Sequence, residues 1–113
     1  MNIVNLTPHQ LNIQKKNGQL RTVDPSGTVV RLLEETENHG ILEGIEITAK
    51  YYSSIQGLPE PQENTIYVVS GIAGTTIWEL LPERKDVFIP GPALRGEDGK
   101  HVGCKGLCCK PNK

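Results

Sequence analysis

The chain has 113 residues, enough for one domain but short for two. Twelve Lys and Arg against thirteen Asp and Glu leave a formal net charge of −1. That balance excludes a general polyanion binder, since nucleic-acid domains carry a clear basic excess or stripe. Hydrophobic residues make up 36% and aromatics only 4%, so a core must be built from Ile, Leu and Val rather than from rings.

The first segments read as short strands. Ile3–Leu6 and Leu11–Ile13 are β-prone runs interrupted by Thr7-Pro8-His9. Asn17-Gly18 predicts a hairpin through a type I′ turn, separating Leu11–Gln14 from Gln19–Val23. Asp24-Pro25-Ser26-Gly27 is a second turn, leading into a β-branched run over Thr28–Leu33. Glu34–Gly40 is acidic and polar and reads as a solvated loop. Ile41–Lys50 alternates imperfectly and suggests two short strands about a turn or bulge at Gly44. The two prolines of Gly57-Leu58-Pro59-Glu60-Pro61 force an extended loop.

Thr65–Val69 is strongly β-prone and ends in Ser70-Gly71. Apolar residues at Ile72, Ala73, Ile77, Leu80 and Leu81 then follow helical spacing, and Pro82 stops the helix. Arg84-Lys85 would place positive charge by the helix C-terminus, where the dipole favours it. Asp86–Ile89 reads as another strand, closed by Pro90-Gly91-Pro92. A last hairpin is expected between Ala93–Arg95 and His101–Gly106. The fold class expected is therefore α+β, a compact β-rich domain with one main helix in a βαβ-like unit. An antiparallel return is the alternative for the second of its strands. The domain is expected to span 1–107 with 108–113 as a tail, its last four residues frayed.

No stretch approaches the roughly 20 apolar residues that span a bilayer. Met1 runs straight into Ile3, Val4 and Leu6 with no basic segment, so no signal peptide and a cytoplasmic location are expected. The three cysteines, Cys104, Cys108 and Cys109, are odd in number and crowded, which suits reduced thiols better than a disulfide framework. With His101 they make only a weak zinc pattern, because adjacent cysteines seldom share one tetrahedral ion. No cofactor is expected.

In a βαβ unit, Ser70-Gly71 and Pro90-Gly91-Pro92 would meet at the carboxyl edge of the sheet, where open sheets bind ligands. The helix start would aim free N–H groups at an anion there. The alternative is that Ser70 is only an N-cap and Gly71 only relieves a turn. Asn5, Thr7 and His9 offer amide, hydroxyl and imidazole on one side of a strand end, or else form an Asx- or Thr-based turn fixed by Pro8. Arg31 and Arg95 suit forked contacts with phosphate, or else ion pairs with Glu35, Glu46 or Asp98. For catalysis, His9 is the one candidate base, and no catalytic constellation is specific.

With these residues in view, the chain resembles a family of short proteins encoded by phages, prophages and many bacteria. The resemblance rests on Asn5-Leu6-Thr7-Pro8-His9, Pro25-Ser26-Gly27-Thr28, Gly57-Leu58-Pro59 and Tyr67-Val68-Val69-Ser70. It continues through Arg84-Lys85-Asp86, Pro90-Gly91-Pro92 and Gly103-Cys104-Lys105-Gly106-Leu107, nearly the whole chain. It implies the host bacterial cytoplasm as location. In size and setting the chain is similar to phage proteins that sequester nucleotide immune signals.

The expected function is counter-defence: sequestering a nucleotide-derived immune signal, cyclic ADP-ribose-like or a cyclic oligonucleotide, without cleaving it. The partner would be a small nucleotide-like anion, with no nucleic-acid polymer and no membrane, and the protein a homo-oligomer. The expected ligand-binding residues are Asn5, Thr7, His9, Arg31, Ser70, Gly71, Gly91 and Arg95. The alternatives are a phage accessory protein-interaction module and a small nucleotide-directed hydrolase using His9.

Overall fold

Turn residues and β-branched runs cut the sequence into ten strands and one helix in the computed structural model, which describes residues 1–112. They are β1 (Asn2–Asn5), β2 (Leu11–Gln14), β3 (Leu20–Val23), β4 (Arg31–Leu42) and β5 (Ile45–Gln56). Then follow β6 (Thr65–Val68), α1 (Gly71–Leu80), β7 (Val87–Pro90), β8 (Ala93–Arg95), β9 (His101–Lys105) and β10 (Leu107–Cys108). The fold is a mixed, β-rich α+β arrangement, as the sequence leads one to expect. Among the described residues no helix is long and apolar enough to cross a membrane.

One sheet has the order β1-β6-β7-β10, with β1, β6 and β7 parallel and β10 antiparallel to β7. The parallel pairing of β6 with β7 across α1 selects the βαβ reading over the antiparallel return. A second sheet has the order β3-β2-β9-β8, in which β2 and β9 are parallel and the flanking pairs antiparallel. Alternation along β6 decides the layering. Tyr67 and Val69 pack with Ala73 and Ile77 of the helix, while Val68 packs with Leu11, Ile13 and Cys104 of the second sheet. The first sheet is thus sandwiched between the helix and the second sheet.

The helix begins one residue earlier than its apolar spacing suggests. Ser70 is its N-cap, extended at φ −63° and ψ 158°, and its Oγ accepts from the Ala73 N–H at 3.4 Å. Gly74 lets the helix settle on the sheet, since a Cβ there would run into Ile89. Trp78 is buried, and its indole N–H donates to the Val87 carbonyl at 3.0 Å. Arg84 does not serve the helix dipole. Its guanidinium grips both carboxylate oxygens of Asp86, at 2.9 and 3.1 Å, and also donates to the Pro59 carbonyl. The charged pair ties the loop before β6 to the start of β7.

The hairpin turns differ from expectation in an instructive way. Asn17 does not take positive φ, so its turn is not type I′. Gly18 N–H donates to the Lys15 carbonyl, Gly18 sits at φ +91°, and Lys15 pairs with Gln19. This is a three-residue loop with the glycine in a bulge. The β8–β9 turn repeats the pattern, with Gly99 at φ +79° and its N–H on the Gly96 carbonyl. Asn17 and Asp98 occupy equivalent places, each accepting from the backbone N–H two residues on. The two-residue turn with positive φ at both positions lies elsewhere, at Glu43 (φ +50°) and Gly44 (φ +80°).

That turn caps the largest departure from the sequence reading. Glu34–Gly40 is not a loop. It belongs to β4, which starts at Arg31 rather than Thr28 and pairs antiparallel with β5 over their 12-residue lengths, with two irregularities. Ile41–Lys50 is correspondingly the end of one long hairpin and not two short strands. At the base Leu32, Ile55 and Leu58 pack against the helix-side core. Beyond it the β4–β5 arm carries nearly all its apolar and polar residues exposed.

At the other end of the chain, β10 includes Cys108, and Lys110 Nζ donates to the Pro82 carbonyl at 2.9 Å. The expected tail is therefore partly docked; Lys113 lies outside the described residues.

Candidate functional site

Residues of both sheets border one cleft of about 790 Å³, four segments among them. They are the β1–β2 link at Thr7–Gln10, the β6–α1 junction at Ser70-Gly71, the end of β7 at Pro90-Gly91, and the first residues of β9 at His101–Cys104. The volume is that of a site for a small metabolite. Among the described residues its wall holds no Asp, Glu, Lys or Arg; the polar groups are hydroxyls, amides and the imidazoles of His9 and His101.

The β1–β2 link has its form because Asn5 is almost wholly buried. Its Oδ1 accepts from the N–H and the hydroxyl of Thr7, and its Nδ2 donates to the carbonyls of His9 and Val23. Thr7 Oγ1 also donates toward the His9 carbonyl at 3.0 Å. The polar run Asn5-Leu6-Thr7-Pro8-His9 is therefore a staple between the two sheets. Asn5 has spent its hydrogen-bonding capacity on the backbone and lies behind the cleft wall, so a direct ligand contact from it is not what the geometry offers. Thr7 lines the cleft but is similarly engaged. His9 lines it too, and its exposed imidazole makes no hydrogen bond among the described residues.

The β6–α1 junction brings in Ser70 and Gly71. A helix leaves its first N–H groups without internal acceptors, and here these are on Gly71 and Ile72, with no acidic side chain in the first turn. A Cβ on Gly71 would meet nothing within 4 Å, so a ligand can approach its backbone closely. Gly91 lines the cleft as well, but its N–H already donates to the Gly106 carbonyl at 3.0 Å. Its lack of a side chain serves packing, because a Cβ would run into the Lys105 carbonyl. The amide of Gly91 is thus unavailable to phosphate.

The two arginines do not join these groups. Arg31 lies exposed at the base of the arm, opposite Gln56, and Arg95 lies exposed on β8 with Nη1 donating to the Gly99 carbonyl at 3.3 Å. Neither lines the cleft, and neither makes an ion pair with Glu35, Glu46 or Asp98 among the described residues.

The contributors that escaped the sequence reading as cleft residues include Asn12, His101 and Cys104. They come together because β2 and β9 run side by side, a pairing of the two ends of the chain that leaves no local signal. Gly103 is the nearest to one, since it exists to let β9 pass the Asn12 carbonyl. The Cys104 thiol is buried and donates to the Gly106 carbonyl at 3.5 Å. Burial pushes its pKa up, so it stays a neutral thiol, and a neutral thiol is a poor nucleophile. Cys108 and Cys109 are exposed. Among the described residues no three His, Cys, Asp or Glu side chains gather as metal ligands do.

Comparison with known proteins returns no matching family model, no matching curated protein and no matching solved structure.

Proposed function

We propose that the chain is a binding protein for a small nucleotide-like anion, which it holds in the inter-sheet cleft without cleaving it. The observation that supports this reading is the convergence of Ser70-Gly71 at a helix N-terminus with His9 and His101 around a single cleft of metabolite size. The amides of Gly71 and Ile72 and the partial positive charge of the helix end are suited to phosphate oxygens. His9 and His101 flank them and can donate to ribose or base. Arg31, Arg95, Asn5 and the Gly91 amide drop out of the proposed contact set. Holding is favoured over turnover because an imidazole base is normally oriented by a third group, and among the described residues no carboxylate lines this wall.

The resemblance to phage-encoded proteins extends the proposal: the held molecule is a nucleotide-derived immune signal, cyclic ADP-ribose-like or a cyclic oligonucleotide, and its sequestration is counter-defence in a bacterial cytoplasm. That extension rests on the resemblance and on the size of the cleft.

The test is calorimetric titration with cyclic ADP-ribose and cyclic dinucleotides, followed by heating and mass spectrometry of the released ligand. Recovery of intact nucleotide is the expected result. Gly71→Pro is the diagnostic variant. Proline is welcome at a first helical position and Ser70 already has the extended conformation it requires, so the fold stays while one N–H donor is lost. A loss of at least about tenfold in affinity is expected, as for one charge-assisted hydrogen bond. Absence of binding by every nucleotide tried, or recovery of cleaved product, overturns the reading.

A further inference from the structure

The β4–β5 arm has no counterpart in the cleft chemistry, and its composition is unusual for a surface. A two-stranded hairpin is at best marginally stable alone in water and needs a third strand or a packed face. Here only the base is packed. Of the twelve large hydrophobic residues exposed among the described residues, seven lie on the arm: Leu33, Ile41, Leu42, Ile45, Ile47, Tyr51 and Tyr52. They cannot be explained as scattered surface residues, because the arm is under a quarter of the chain. Its charge is equally uneven. Residues 31–56 carry Glu34, Glu35, Glu37, Glu43 and Glu46 against Arg31 and Lys50, a net charge of −3.

The complementary surface is on the same molecule. The β2–β3 hairpin, residues 11–23, carries Lys15, Lys16 and Arg21 and no acid, a net charge of +3. All three cations are exposed. Strand β3 is the outermost strand of its sheet, so its outer edge has no strand beside it, and Leu20 on it is half exposed. An open edge with an exposed apolar residue is a template for strand addition. Within one chain the arm stays exposed beyond its base and leaves that edge open. Two arms laid against each other would bring −3 against −3; an arm laid on β2–β3 of another molecule brings −3 against +3.

We propose that the arm is an assembly element whose occupant is a second copy of this chain, each copy laying its arm along the β3 edge of the other. Reciprocal exchange uses the same two patches on both molecules and closes with two-fold symmetry. It covers the apolar tip, pairs the β3 edge and matches the two charge patterns at once. The argument is independent of the cleft and of any ligand.

Sedimentation velocity on the full chain from about 1 to 100 μM tests it, spanning the affinities of modest protein interfaces. A reversible dimer is expected. Ile41→Asp with Ile45→Asp, both at exposed arm positions, should weaken it at least about tenfold, as should Lys15→Glu, Lys16→Glu and Arg21→Glu together. Combining the basic-to-acidic set with Glu34→Lys, Glu35→Lys and Glu37→Lys should restore the dimer to within about threefold of the original affinity. The unaltered protein gives an independent reading: the dimer should weaken at least about fivefold as salt rises from low to high, because exposed charge pairs are screened. A monomer throughout, a dimer indifferent to salt and to both sets of substitutions, or an arm occupied only by a different protein overturns the proposal.

Discussion

The carboxamide oxygen of Asn5 accepts from both the backbone N–H and the hydroxyl of Thr7, at 2.9 and 2.7 Å, and both residues are buried. Truncation to Asn5→Ala deprives the Thr7 N–H and the Val23 carbonyl of their side-chain partner, while the Thr7 hydroxyl keeps the His9 carbonyl. The expected cost is about 3 kcal/mol, since each stranded buried group costs roughly 1–3 kcal/mol and some regain water. Thr7→Val removes one hydroxyl only and should cost about 1 kcal/mol. Urea unfolding followed by the fluorescence of Trp78, the one tryptophan, checks the order. Equal or negligible losses would show that the turn is not a staple.

Two glycines on the cleft wall should respond oppositely to an added methyl group. At Gly91 the new Cβ meets backbone of the β9–β10 corner that cannot swing away, so Gly91→Ala should destabilise by about 3 kcal/mol. At Gly71 the space is open and the position helical, so Gly71→Ala should be neutral or stabilising by up to about 1 kcal/mol. Thermal unfolding of both variants distinguishes a packing constraint from a site left open for a ligand.

Cys104 should be the slow thiol. In the native protein Cys108 and Cys109 react with an aromatic disulfide reagent at once, and the third thiol reacts only on unfolding. Burial holds the folded pKa of Cys104 above its ordinary 9.0, which fixes the sign of the pH effect. The stabilisation is fully present below the unfolded value and is lost as pH rises through the folded one. Stability should therefore fall less steeply above pH 9.0 in Cys104→Ala than in the unaltered chain. Parallel slopes would contradict this.

On the arm, Glu35 lies opposite Tyr51, and its negative charge is the main cause of a raised tyrosine pKa, with hydrogen bonding to Glu35 second. Glu35→Gln should bring the Tyr51 titration back toward 10.0, read as a shift in the ultraviolet absorbance of tyrosinate. No shift would mean the two side chains do not meet across the strands.

Much of the framework is legible in the sequence because it is locally written. The β2–β3 and β8–β9 hairpins follow from Asn17-Gly18 and Gly96-Glu97-Asp98-Gly99, and the strand–helix–strand order over 65–89 from β-branched runs, helical spacing and Pro82. The arm is not legible, for a physical reason. Alternation marks a strand only when one face is buried, and Glu34–Gly40 has both faces in solvent, so it looks like a loop. Among the site residues, Ser70, Gly71 and His9 could be nominated from their positions at strand ends. Asn5 could not be told from a ligand contact, because its bonds to Thr7 and His9 are local but the Val23 carbonyl that completes its set is brought near only by the tertiary fold. Arg31 and Arg95 were suited to phosphate by chemistry alone, and chemistry does not reveal which way a strand carries them.

The side-by-side run of β2 and β9 has a consequence for biosynthesis. Ile13 is made long before its neighbour Cys104, from which most of a domain's length of chain separates it. Strand β2 must therefore keep its Leu11 and Ile13 side chains uncovered until β9 has been made. Folding of this protein is slow to begin and sensitive to anything that removes β9.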